Sequence, residues 1–219
     1  MGITKTDYIR GMQCPRMLWL DKHHPEYKVI PPFVQKRMDV GNDFGDKAMG
    51  LFGPYVEVQE YYPGTKHPIK EKMVEKTKEL LSANTRVICE AAFQYDDSYC
   101  AVDILRKKSD SYEIYEVKDS AAVTEQHIKD ISFQSYIILK SGLKLSKICV
   151  IHHGGDEDNP YEIVDVTKEA LKQTESISNN IERLNTIAAE QEEVKYEPGE
   201  QCDNPYVCWY KQYCGQIKE

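Results

Sequence analysis

The sequence predicts an α/β fold built on a mixed central sheet. Two observations carry this. Three strand-like runs separated by short turns follow one another over residues 86–118, with an amphipathic helical pattern before them and another after. The second helix leads into residues 147–151 (KICVI), an almost continuous apolar run. Such a run is the pattern of a strand buried on both faces, as in parallel pairing. A helix between the meander and that strand is then a crossover back into the same sheet.

The elements follow in order. Thr4, with Asp7 three residues on, is the signature of a capped helix over 7–12. Cys14-Pro15 breaks it, and Pro15 suits the first position of a second short helix through Leu20. His23-His24-Pro25 and Pro31-Pro32 mark a loop. Residues 34–49 are helical in pattern but carry Gly41 and Gly45. Gly53-Pro54 turns the chain, 55–59 alternates like a strand, and Tyr62-Pro63-Gly64 turns it again. Residues 69–81 form an amphipathic helix with Ile69, Met73, Thr77 and Leu80 on one face. Then come strands over 86–95, 99–106 and 112–118, separated by Asp96-Asp97-Ser98 and Ser109-Asp110-Ser111. A helix over 123–139 places Ile128, Ile131, Ser135 and Ile138 along one side and ends near Gly142. After the strand at 147–151 the sequence predicts one long charged helix over 167–193 and a cysteine-rich tail.

The 219 residues suit one domain, with its core over about 69–155 and the ends at about 1–25 and 195–219. Hydrophobic residues make up 41% and charged residues 29%, and no apolar run approaches the roughly 18 residues of a membrane helix. The polar, mixed start is unlike a signal peptide, so a cytoplasmic protein without a membrane partner is expected. The net charge of −8 argues against avid, nonspecific duplex binding. The acid excess is local, however. Residues 151–200 hold 13 acidic and 4 basic residues, whereas residues 1–40 hold 7 basic and 4 acidic. A phosphate-binding cleft away from the late acidic segment is compatible with that distribution.

The chemistry lies in the meander. Asp103 sits mid-strand between Val102 and Ile104, where a bare buried carboxylate is costly. Glu116 and Lys118 are two apart on the next strand and therefore share a face. A short turn joins the two strands, so Asp103 can lie beside Glu116. Two carboxylates, an ammonium and the backbone carbonyl of Val117 then converge on one point. Phosphodiester hydrolysis uses such a set. Asp103 and Glu116 would hold a hard cation, Mg²⁺ or Mn²⁺, through oxygen. The cation polarises the phosphoryl oxygen and acidifies a bound water. Lys118 would position that water and meet the charge developing on phosphorus. A cross-strand salt bridge on a solvated sheet face is the competing explanation of the same spacing.

Seven cysteines in a chain without a secretory signal do not suggest a disulfide framework. Cys89, Cys100 and Cys149 lie in apolar strands and read as small buried hydrophobes. Cys14, Cys202, Cys208 and Cys214 lie among Pro, Asp, Asn and aromatic residues. The spacing Cys202-x5-Cys208-x5-Cys214 is wide for structural zinc. Thiolate-only ligation suits either zinc or an iron–sulfur cluster, and a site without metal is also open. Tyr206, Trp209, Tyr210, Tyr213 and Trp19 crowd this region, as a hydrophobic jacket or as a stacking platform for single-stranded bases. His152-His153 and the lysines Lys140, Lys144 and Lys147 read as a strand end and a solvated face.

Asp103 and Glu116-Val117-Lys118, on the second and third strands of a helix–meander–helix–strand core, resemble the PD-(D/E)xK nuclease superfamily. More narrowly, the chain resembles the RecB-type iron–sulfur exonucleases, which include the CRISPR-associated adaptation exonuclease and the nuclease domain of the AddB helicase-nuclease subunit. An uncharacterised bacterial family of this type is similar in Cys14-Pro15, Leu18-Trp19, Gly41, Gly45-Asp46, Glu90-Ala91-Ala92-Phe93, Asp103-Ile104-Leu105, Cys202 and Pro205-Tyr206-Val207-Cys208. The resemblance implies a restriction-endonuclease-like fold whose chain ends are joined at a [4Fe–4S] cluster on Cys14, Cys202, Cys208 and Cys214. It implies a metal-dependent DNA exonuclease, acting on single strands or duplex ends in repair, recombination or defence, with a helicase or defence-complex partner. Relatives carry a histidine ahead of the core as a further metal ligand. Gly45 stands there in this chain, and Asp43, Asp46 or Glu90 is the expected substitute. Relatives also carry Q-x-x-x-Y on the helix after the meander. Here Gln134 is present but the tyrosine is Tyr136, and both are expected as auxiliary active-site residues. A catalytically weak DNA-binding or adaptor module of the same fold, and a restriction-like endonuclease, are the alternative functions.

Overall fold

The computed structural model describes residues 2–65, 67–154, 158 and 160–215. Six helices, α1 (Lys5–Gln13), α2 (Pro15–His23), α3 (Pro32–Ala48), α4 (Lys70–Ser82), α5 (Glu125–Lys140) and α6 (Thr167–Ala189), accompany six strands. These are β1 (Val56–Glu57), β2 (Val87–Tyr95), β3 (Ser98–Lys107), β4 (Tyr112–Val117), β5 (Leu145–His153) and β6 (Tyr161–Asp165). They form one mixed sheet in sequence order. The β2–β3–β4 meander is antiparallel, β1 joins β2 and β5 joins β4 in parallel, and β6 closes the far edge antiparallel to β5. Among the described residues no helix is long and apolar enough to cross a membrane.

The expected elements recur with ends shifted by a few residues, and one strand is new. β6 has no apolar alternation, and its residues are exposed or half-buried, as befits an edge strand. The run at 147–151 becomes the middle of β5, with Ile148, Cys149, Val150 and Ile151 all buried, because both faces of the sheet are covered there. On one face Ile114, Ile148 and Val150 pack against Ile131, Phe133, Ile137 and Ile138 of α5, with Ile177 and Leu184 of α6 in the same core. On the other face Ile104, Tyr115, Cys149 and Ile151 meet Met49 and Phe52. Cys89, Cys100 and Cys149 are buried, as expected of small hydrophobes.

The two chain ends are stitched together. Thr4 and Asp7 form the reciprocal cap of α1. The indole of Trp19 donates to the Glu190 carbonyl (2.9 Å), Arg16 pairs with Glu193 (2.6 Å), and the Tyr210 hydroxyl donates to Asp21 (2.8 Å). Gln13 donates to the carbonyls of Gln201 and Tyr206, both at 2.6 Å. The tail therefore lies along α1 and α2 and reaches the site below.

Candidate active site

β3 and β4 are in register with Ile104 opposite Tyr115, which puts Asp103 level with Glu116 one step on. Both carboxylates face a cavity of about 640 Å³ at the C-terminal end of β4. Crevices at the carboxyl ends of parallel strands are the usual place for ligands in such sheets. Lys118 follows the last residue of β4. Its ammonium lies 2.8 Å from Glu116 Oε1 and 2.6 Å from Asp130 Oδ2 of α5. Glu116 is 1% exposed, so this is not a salt bridge on a solvated face. Its second oxygen accepts from Gln134 of α5 at 2.5 Å. Asp103 accepts from the backbone N–H of Val117 at 2.6 Å.

The remaining predicted residues divide. Glu90 lines the same cavity from β2, and Asp46 lines it from α3. Tyr136 is not brought to the cluster. It meets Tyr95 edge-on at 6.3 Å and the Lys140 ammonium at 5.7 Å. The reason is helical geometry: two residues span about 200°, so Tyr136 faces away from Gln134. Two residues missed in the sequence complete the cluster. Lys5 at the start of α1 lies 2.9 Å from Glu116 Oε1. Asp130 precedes Gln134 by one helical turn. Gln126, Asp130 and Gln134 form a polar stripe at i, i+4, i+8 along α5, a signal the sequence did carry. Lys5 left no such signal, because the contact spans 111 positions.

The charges are unevenly held. Burial, then the Glu116 charge, raises Asp103 to about 6. Burial, then the Asp103 charge, raises Glu90 to about 8. Burial also opposes the charge of Glu116, but Lys118 and Lys5 overcome it and hold that carboxyl well below the usual range. Glu90 is unusual in backbone as well, with φ of +54° in the middle of β2. Among the described residues no group of three or more His, Cys, Asp or Glu side chains is arranged to hold a metal as it stands. Glu116 is turned onto ammonium and amide donors and Asp103 onto a backbone N–H, so a cation would have to exchange for them.

The cavity walls come from α1, α3 and the tail. Arg10 of α1 pairs with Asp21 (2.7 Å) and lies 4.0 Å over the ring of Trp209. Tyr206 and Trp209 line the cavity, whereas Trp19 and Tyr210 are buried among the cysteines. Trp19 and Tyr210 thus belong to the hydrophobic jacket, and Tyr206 and Trp209 stand on the cavity wall. Cys14, Cys202, Cys208 and Cys214 are unpaired and line one small cavity of their own. Burial raises Cys208 to about 11, and Cys14, Cys202 and Cys214 add to it. His152 is buried in β5, and His153 pairs with Asp119 against Phe44 at 4.3 Å.

No family model matches the chain, and no curated protein matches it. Among solved structures, an alkaline exonuclease from Laribacter hongkongensis is similar at 10% identity, with a TM-score of 0.45 over 84% of this chain and 88% of that one. A likeness of that size assigns neither family nor activity, and the reading of the site rests on its own geometry.

Proposed function

We propose that this chain is a metal-dependent DNA nuclease of PD-(D/E)xK type, working as one domain and removing nucleotides from single strands or duplex ends. The observation that carries the reading is the convergence of Asp103, Glu116 and Lys118 on the floor of one open cavity. The donor set fits a hard divalent cation. Asp103, Glu116 and Glu90 offer only oxygen, and the raised Asp103 and Glu90 carboxyls mark a crowding of negative charge that Mg²⁺ or Mn²⁺ would relieve. Bound between Asp103 and Glu116, the cation would supply a polarised phosphoryl oxygen and a water of lowered pKa.

The chain's own residues do the rest. The Val117 N–H fixes Asp103, and Gln134 fixes Glu116. Asp130 holds Lys118 charged and aimed at the cavity, where its ammonium meets the negative charge that develops on the phosphoryl oxygens. Water oxygen bonds to phosphorus as the bond to the leaving oxygen breaks, and that oxygen leaves with a proton. Trp209 and Tyr206 offer faces for unpaired bases, with Arg10 beside them.

Four unpaired thiols line one small cavity, and burial raises Cys14, Cys208 and Cys214; drawn together, these thiolates would hold a cluster. We read it as [4Fe–4S] and structural. Work in a repair or defence assembly beside a helicase is part of the same proposal.

The test is degradation of end-labelled single- and double-stranded DNA with Mg²⁺ or Mn²⁺, wild type beside Asp103→Ala. Cleavage by the wild type, reduced at least about a hundredfold in the folded variant, is expected for a lost electrostatic catalyst. Equal cleavage by both proteins would place the chemistry elsewhere.

A further inference from the structure

We propose that Lys5 is a second catalytic ammonium of this site: it is parked on Glu116 in the cation-free protein and moves onto a substrate phosphate once a divalent cation takes that carboxylate. The inference rests on the nuclease reading and adds a residue and a step to it.

Glu116 carries two ammonium groups on one oxygen. Lys5 lies 2.9 Å and Lys118 2.8 Å from the same Oε1, while Oε2 accepts from Gln134. A buried carboxylate needs one counter-charge, and Lys118 supplies it. A cation arriving at Oε1 meets two positive groups and must displace one. The two lysines differ in what else holds them. Lys118 has a second carboxylate, Asp130, at 2.6 Å. Among the described residues, Glu116 is the only carboxylate within bonding distance of Lys5. Lys5 is therefore the group that leaves.

Its destination follows from its position. The Lys5 side chain is 28% exposed and lines the cavity. Its backbone is fixed by the Thr4–Asp7 cap at the first turn of α1, so only the flexible four-carbon stem moves. Released into a cavity that must admit a phosphodiester, the ammonium meets an anion at the atoms that react. A purely structural tether of α1 to the sheet would stay on Glu116 whether or not a cation is present.

The two roles separate by linkage. If the cation and Lys5 compete for Glu116, removing Lys5 strengthens cation binding; if the cation frees Lys5 for phosphate, the cation strengthens DNA binding through Lys5. Lys5→Met, Lys5→Arg and wild type are compared by calorimetric titration with Mn²⁺ alone. Binding of a labelled single-stranded oligonucleotide is then measured with and without Ca²⁺. Lys5→Met is expected to bind Mn²⁺ on the order of tenfold more tightly, one pK unit's worth of relieved competition. It should also lose most of the gain in oligonucleotide affinity that Ca²⁺ gives the wild type, and Lys5→Arg should keep it. Unchanged or weaker Mn²⁺ binding by Lys5→Met, with a wild-type circular dichroism spectrum, overturns the proposal. So does an undiminished Ca²⁺ gain. Absence of cleavage by the wild type would defeat the nuclease reading, and the Mn²⁺ and oligonucleotide titrations would still decide the competition for Glu116.

Discussion

Glu90 shows how much of this site is set against the preferences of the chain. A non-glycine residue at φ of +54° inside a strand is strained, by roughly 1–3 kcal/mol, and such strain persists where the surroundings impose it. The ladder runs from Cys89↔Ile104 to Ala91↔Val102, and Glu90 between them turns toward the cavity that Asp103 shares. Both acids pay for that position in protonation. With folded values of about 8 and about 6, raised first by burial, they bind more protons folded than unfolded. The cation-free protein must therefore lose stability as pH rises, from about 4 to 6 through Asp103 and from about 4.5 to 8 through Glu90. Glu116 works in the opposite sense, its contribution being lost only as pH falls below the ordinary carboxylate range. Glu90→Gln mimics the protonated acid. In the presence of a chelator it should match the wild-type melting temperature near pH 4, where Glu90 is protonated folded and unfolded alike, and exceed it by several degrees at pH 9. Melting curves at the two pH values check it, and a variant that loses stability equally at both would remove Glu90 from the charge cluster.

At the scale of elements, α3 stands apart. It has 17 residues, of which only Ala48 is buried, and its inner side carries Gly41, Gly45 and Asp46 along the cavity. A Cβ added at Gly45 meets nothing within 4 Å, so the position where the nucleases this sequence resembles carry a histidine is physically open here. Gly45→Ala should raise the melting temperature by about 2–4 °C, the worth of roughly 1 kcal/mol for a glycine inside a helix. Gly45→His should in addition tighten Mn²⁺ binding in calorimetric titration, and no change in affinity would mean that α3 lies too far from Asp103 to supply a ligand. The element scale is also where the sequence was most readable. Period two gave β2, β3 and β4, and the short turn between β3 and β4 gave the pairing of Asp103 with Glu116. The apolar run at 147–151 gave the parallel β5. Periodicity could not find β6, which buries too little to alternate, nor Lys5, whose place depends on how α1 docks over 100 residues away. It misplaced Tyr136 because a motif read as spacing ignores which side of the helix each member occupies.

The whole molecule ties the tail to the chemistry. Asp203, Pro205, Tyr206, Val207 and Trp209 form one wall of the cavity that holds Asp103 and Glu116, and Cys202 and Cys208 bracket most of that stretch. The same stretch is bonded to α1 through Gln13, and α1 carries Lys5. Asp103 and Glu116, by contrast, belong to the sheet and its hydrogen-bonded ladder. The clip proposed on Cys14, Cys202, Cys208 and Cys214 would restrain almost the whole unfolded chain, and the closure entropy it removes would grow only slowly with loop length. Breaking the clip should therefore do three separable things. Cys208→Ser should lower the melting temperature by about 5 °C, on the scale of 1–2 kcal/mol. It should bleach the broad brown absorbance expected of the anaerobically purified wild type. It should also weaken single-stranded DNA binding several-fold while leaving Mn²⁺ affinity near the wild-type value, because the cavity loses a wall and keeps its floor. A colourless wild type with stoichiometric zinc would replace the iron–sulfur assignment without touching the mechanical argument. Equal loss of DNA and Mn²⁺ binding would refute that argument, since it would show that the tail holds the carboxylates as well as the strand.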